Sequence, residues 1–139
     1  MTPDGLAALH ARCFVHPRPW SGAEFADLLN SPHAFLLTRP QGFLLGRTVA
    51  DEAELLTLAV APEARRRGIA RDLLAEFAAT SQERGATRAF LEVAADNGTA
   101  RALYRAAGWG ESGRRRRYYG PDLDAIVMTL ALPPVQQGG

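Results

Sequence analysis

The stretch Arg65-Arg66-Arg67-Gly68-Ile69-Ala70-Arg71 sets four guanidinium groups around one glycine. Arginine keeps its charge and offers a planar fork that matches phosphate. Gly68 has no side chain, so a ligand oxygen can approach its backbone closely. The flanking residues add a second property. Glu54 to Ala61 is an almost continuous apolar run stopped by Pro62, the pattern of a strand buried on both faces. After Gly68, Ile69, Leu73 and Phe77 fall on one line with Ala70, Leu74 and Ala78 beside it, which makes an apolar helix face. Gly85 follows as a C′ residue. The arginine loop therefore opens onto a helix start, whose first amides lack internal partners and attract anions. Two readings fit: a cradle for a pyrophosphate, or a basic, solvated strand-to-helix connection. The Walker pattern Gly-x-x-x-x-Gly-Lys is absent.

A second set of titratable groups follows Gly85. Glu92 lies within Phe90-Leu91-Glu92-Val93. An acid in such a strand must be paired, raised in pKa or turned to a wet cleft, where a general base belongs. Plain alternation offers the other reading, a glutamate facing solvent. Tyr104 lies on the helix after Asn97; its phenol can donate a proton, or simply pack beside Leu103. Cys13 sits in an apolar helical pattern with no base beside it and reads as core. His10, His16 and His33 have no ligand spacing and no cysteine pair, so no metal site is expected.

The elements that must hold these groups can be read in order. Thr2 or Asp4 caps a short helix carrying Leu6, Leu9 and Phe14. His16-Pro17-Arg18-Pro19 is extended or turning. Ser21 and Glu24 form a capping box for a helix with Phe25, Leu28 and Leu29, ended by Asn30-Ser31-Pro32. Strands are expected at 33–38 and 42–49 around Arg39-Pro40-Gln41, and a turn at Ala50-Asp51-Glu52 leads into the central strand. Arg88 to Ala94 is a strand, and Ala100 to Ala107 a helix capped by Gly108. A last hairpin pairs Glu111–Tyr119 with Asp124–Leu132. Strand–helix alternation in the middle and a terminal hairpin indicate a mixed α/β sheet.

Composition narrows the classes. With 139 residues, 47% hydrophobic and 22% charged, one domain over 1–132 is expected, followed by a disordered tail over 133–139. The net charge of +1 gives no general drive toward nucleic acid or an acidic membrane. No apolar stretch approaches the roughly 20 residues of a spanning helix. A single cysteine and no basic N-terminal region point to the cytoplasm. All sixteen cationic side chains are arginine. Arg114 to Arg117 read as a solvated hairpin face, because alternation splits the run between two faces.

These motifs resemble the GNAT (GCN5-related) N-acetyltransferase family. Arg65-Arg66-Arg67-Gly68-Ile69-Ala70 fits its Arg/Gln-x-x-Gly-x-Gly/Ala signature, between strand and helix as that family requires. Leu91-Glu92-Val93, Asn97 and Ala102-Leu103-Tyr104 through Gly108-Trp109 resemble its last block, with Trp109 in place of phenylalanine. Pro19-Trp20-Ser21, Tyr118-Tyr119 and Asp124-Ala125 with Met128 resemble the branch that acetylates the N-terminal alanine of a small-subunit ribosomal protein. The resemblance runs from about residue 6 to residue 132.

It implies a GNAT-type α/β fold, a mixed and mostly antiparallel sheet flanked by helices. Only Met1 to Gly5 precede the first helix, so the usual first strand is expected to be missing or vestigial. It implies acetyl-CoA as co-substrate, held by Leu58, Ala59, Val60, the loop Arg65–Arg71 with Arg65, Arg66, Arg67, Gly68, Ile69, Ala70 and Arg71, and Asn97. Glu92 takes the family's base position, and Tyr104 that of an acid for the departing thiolate. A main-chain amide among Leu58–Val60 would steady the oxyanion. Trp20, Tyr118 and Tyr119 are candidate walls of the peptide groove, with ordinary hairpin and loop packing as the other reading. The implied partners are acetyl-CoA and a ribosomal-protein N-terminus, with no membrane and no direct nucleic acid. A lysine side chain, a small amine, or CoA binding without turnover are the rival readings.

Overall fold

Thr2 starts the chain's first helix by accepting the Gly5 N–H on its hydroxyl at 3.0 Å, with Pro3 in the first turn where a missing N–H costs nothing. The computed structural model describes residues 1–14 and 18–134. The expected turn at His16-Pro17 and the tail from Val135 to Gly139 lie outside the described residues. Helix α1 (Pro3–Cys13) turns Leu6, Leu9 and His10 inward. Helix α2 (Gly22–Leu29) opens on the expected capping box: Ser21 Oγ accepts from Glu24 N and Glu24 Oε1 from Ser21 N.

Strands β1 (Ala34–Arg39) and β2 (Gly42–Val49) form an antiparallel hairpin, and β3 (Glu52–Val60) adds to β2. A 3₁₀ turn over Pro62–Ala64 leads to α3 (Ile69–Glu83). Then come β4 (Arg88–Ala94), α4 (Gly98–Ala106), β5 (Gly110–Gly120) and β6 (Leu123–Ala131). The sheet order is β1-β2-β3-β4-β6-β5, antiparallel except for β3 beside β4. Among the described residues no strand precedes α1, so β1 is one edge of the sheet.

Two apolar clusters cover the two faces. Leu73, Leu74 and Phe77 of α3 pack with Leu44, Leu55, Leu91, Met128 and α4's Tyr104. Leu6 and Leu9 of α1 and Phe25 of α2 pack with Phe43, Leu45 and Ala59. Phe25, Phe43 and Phe77 are fully buried, worth about 1.5–3 kcal/mol each over leaving them in water. Gly46 lets α3 come down onto the sheet, since a Cβ there would lie 2.6 Å from Phe35 Cζ and 3.0 Å from Phe77 Cε2.

The strand buried on both faces is β2, where Phe43 and Leu45 point to one cluster and Leu44 to the other. The sequence pattern assigned that place to β3, and the structure corrects it. Leu56, Leu58 and Val60 are only half-buried, because β3 parts from its neighbour. Parallel pairing joins only Glu52–Glu54 to Arg88–Phe90, while β4 stays paired with β6 along its whole length. Beyond Glu54 the two strands leave a cleft between them.

Candidate active site

The divergence of β3 and β4 exposes backbone as well as side chains. From Leu55 onward, the edge of β3 turned toward β4 has no ladder partner, so its peptide groups are available to a ligand. The β2 ladder also skips a residue: Leu45 faces Thr57 and Gly46 faces Leu55, leaving Leu56 as a bulge. One extra residue reverses the alternation. Ala53 and Leu55 therefore pack toward α3, whereas Thr57 and Ala59 turn toward α1. The resulting cleft has a volume of about 730 Å³.

At one end stands the mouth of α3. Gly68, at φ +79°, is its N-cap and supplies no side-chain cap, so the first-turn amides are open. Arg66 also has a positive φ of 67°, and a Cβ built on Gly68 meets nothing within 4 Å. Arg65, Arg66, Gly68, Ile69, Ala70 and Arg71 line the cleft, as do Leu58, Ala59 and Val60. Arg65 Nε donates to the Val60 carbonyl at 3.3 Å. Arg67 stands off the wall, its guanidinium toward Gln41 Oε1 at 3.4 Å, so three of the four arginines border the cleft and Arg67 does not. Open amides, positive charge and an unpaired strand edge suit the diphosphate and amide arm of a CoA thioester.

The other wall carries the titratable groups. Glu92 lies on β4 with its side chain 15% exposed and borders the cleft. Among the described residues its Oε2 is buried with no hydrogen-bond partner, and its Oε1 lies 3.4 Å from Nε of Arg115. Of the two sequence readings for Glu92, the structure shows the cleft-facing one. Tyr104 borders the same cleft, and burial pushes its phenol up to about 12, so it stays protonated. Its ring packs 6.1 Å from Trp109. Asn97 also borders the cleft, but its Oδ1 accepts the Ala100 N–H and caps α4.

The aromatic groove residues divide. Trp20 and Tyr119 line the cleft, and burial raises the Tyr119 pKa. Tyr118 stands outside the wall, 52% exposed, its ring edge-on to Tyr119 at 5.0 Å. Its phenol faces the Glu92 carboxylate, and hydrogen bonding to that group first, then burial, raises its pKa above the ordinary value.

Three neighbours of the site were not legible as such in the sequence. Arg115 reads there as one of four solvated arginines. In the ladder Arg115 faces Ala125, which faces Ala94 of β4, so Arg115 shares a sheet face with Glu92; the β5 register breaks only beyond it, between Arg115 and Gly120, with Arg117 at φ 56°. Arg114 instead pairs with Asp124 at 2.8 Å. His10 and Thr57 reach the cleft wall from α1 and β3. Position 10 follows Leu6 by four and so shares its inward face, but nothing in the sequence reveals the bulge that turns Thr57 toward it.

The Acetyltransferase (GNAT) family model matches residues 5–109. The chain is 37% identical over 139 residues to the [ribosomal protein bS18]-alanine N-acetyltransferase of Escherichia coli strain K12, covering 94% of this chain and 93% of that one. It is 42% identical over 122 residues to the N-alpha-acetyltransferase RimI of Mycobacterium tuberculosis, covering 81% and 75% of the two chains. The crystal structure of the ribosomal-protein-S18-alanine N-acetyltransferase from Escherichia coli superposes with a TM-score of 0.82 at 31% identity, over 96% of this chain and 89% of that one. Acetyl-CoA is the acyl donor of this family. By its fold, its motifs and these matches, the chain belongs to the GNAT family of acetyltransferases.

Proposed function

We propose that this protein transfers the acetyl group of acetyl-CoA to the α-amine of a protein N-terminus, the N-terminal alanine of ribosomal protein bS18, in the cytoplasm. The observation that carries this reading is the Glu92 carboxylate, with one unpartnered oxygen in the cleft that begins at the open mouth of α3. The near full-length likeness to bS18-alanine acetyltransferases supports the choice of acceptor.

The CoA thioester supplies an acyl group open to attack by an amine. The chain's part is to bind, orient and move protons. Gly68, Ile69 and Ala70 offer amides, and Arg65, Arg66 and Arg71 charge, to the diphosphate. The free edge of β3 at Leu58–Val60 offers main-chain donors where negative charge develops. An N-terminal ammonium has a pKa of about 7.7–8.0, so much of it must lose a proton before it can attack. Glu92 Oε2 is the acceptor for that proton, directly or through water. Tyr104, still protonated at neutral pH, is the donor for the departing sulfur. Trp20 and Tyr119 flank the incoming peptide.

Incubation with acetyl-CoA and peptides beginning with alanine, beside the same peptides blocked at the amine, tests this. Acetylation of the free peptide alone supports the reading. Equal acetylation of blocked, lysine-containing peptides favours a lysine acceptor, and CoA binding without any product favours a non-catalytic module.

A further inference from the structure

His10 has no exposed surface and yet borders the cleft. Both its ring nitrogens are engaged. The Trp20 backbone N–H donates to Nδ1 at 3.1 Å, which requires Nδ1 to be unprotonated. The ring proton then sits on Nε2, which donates to Thr57 Oγ1 at 3.1 Å. Burial favours this neutral form and lowers the pKa to about 4, against the opposing charge of Glu24. The ring stacks on Phe14 at 4.2 Å and on Trp20 at 5.0 Å, and meets Phe25 edge-on at 5.5 Å.

Three segments therefore meet at one imidazole: α1, the stretch before α2, and β3 just past its Leu56 bulge. Phenylalanine would fill the same volume without two hydrogen bonds. The bonds matter because both partners, Trp20 and Thr57, lie on the cleft wall, and neither segment is tied to the other by a strand ladder.

We propose that His10 is a positioning residue for the acceptor: it fastens Trp20 to the bulged strand at Thr57, so that loop and strand make one fixed wall of the peptide groove. The role rests on the acetyltransferase reading of this cleft. His10 acts through Trp20 and Thr57, not on the reacting atoms.

Three substitutions separate positioning from bulk packing. His10→Asn keeps an acceptor at the place of Nδ1, His10→Gln keeps a donor at the place of Nε2, and His10→Phe keeps the stacked ring with neither bond. Each is assayed with an alanine-starting peptide and with acetyl-CoA varied separately. In a Trp109→Phe background Trp20 is the one remaining tryptophan, and acrylamide quenching of its emission reports how firmly the loop is held.

His10→Phe should raise the peptide KM roughly ten- to a hundredfold and leave the acetyl-CoA KM within about twofold. His10→Asn, which keeps the Trp20 bond alone, should restore protection of Trp20 but only part of the peptide KM, and His10→Gln, which leaves Trp20 untied, should restore neither. If His10→Phe fails to fold, the contrast between Asn and Gln still decides. Unchanged peptide KM in the folded variants, or parallel losses toward both substrates, would overturn the role alone. A wild-type protein that acetylates no peptide would overturn the acceptor reading, and this role with it.

Discussion

The Glu92 carboxylate faces Arg115 with one of its oxygens: Oε1 lies 3.4 Å from Nε of Arg115, while Oε2 is buried and, among the described residues, has no hydrogen-bond partner. A buried, unsatisfied carboxylate oxygen is costly in a folded protein. It is retained where a ligand will complete it. One cation of the chain, Arg115, stands at this carboxylate, and in the proposed reaction the acceptor ammonium would bring a second.

Glu92→Gln keeps the shape of the side chain and removes its basicity. The turnover number should fall roughly 10²- to 10⁴-fold, the usual worth of a positioned base. CoA affinity, measured by calorimetry, should hardly change, since the diphosphate end of the cleft is untouched. Equal turnover in the two proteins would remove Glu92 from the chemistry.

Arg115→Ala tests the clamp on that carboxylate. Arg115 is 57% exposed, so its pair contributes about 0–1 kcal/mol to stability at most, and the melting temperature should move little. Turnover should nevertheless drop, by roughly tenfold, as the carboxylate loses its fixed orientation. A variant that melts early with normal turnover would make Arg115 a structural residue only.

Much of this architecture was legible before any coordinates. Strand β4 runs over Arg88–Ala94 as its apolar pattern indicates, and α3 ends before Gly85 as its punctuation requires. The caps at Thr2 and Ser21 are local contacts between residues three apart, which is why they could be read. Glu92 and the Gly68 loop were recognisable by motif. What stayed hidden depends on irregular backbone: the Leu56 bulge that redirects Thr57, and the break in the β5 register between Arg115 and Gly120, the stretch that holds Tyr118. Neither has a periodic signature.

Two buried groups make stability depend on pH in opposite directions. His10 has a folded pKa of about 4 against 6.5 in the open chain. Its contribution is whole above pH 6.5 and lost as pH falls through 4, amounting to about 3–4 kcal/mol at most. Tyr104 has a folded pKa of about 12 against 10.0. Its contribution is whole below pH 10 and lost as pH rises through 12, amounting to about 2–3 kcal/mol at most. The chain has no lysine to confuse the alkaline limb. Urea unfolding should show an acid loss that His10→Asn reduces, the paired carboxylates of Glu24 and Asp124 supplying part of the rest, and an alkaline loss that Tyr104→Phe reduces. Flat profiles in the wild type would contradict both assignments.

Two glycines give contrasting outcomes. Gly46→Ala forces a methyl to within 2.6 Å of Phe35 Cζ, and should cost about 1–3 kcal/mol of stability by urea unfolding. Gly68→Ala meets no neighbour, but its φ of +79° costs a side chain about 1–2 kcal/mol. A shift of backbone at the mouth of α3 should weaken CoA binding more than it weakens the fold. CoA affinity as in the wild type would remove Gly68 from the anion site.

The most direct measurement is mass spectrometry of the product formed from acetyl-CoA and a peptide that starts with alanine and also contains lysine. The account predicts one acetyl group on the α-nitrogen with the wild type, and almost none in the same time with Glu92→Gln. An acetyl group on the lysine ε-nitrogen, or the same yield from both proteins, would contradict it.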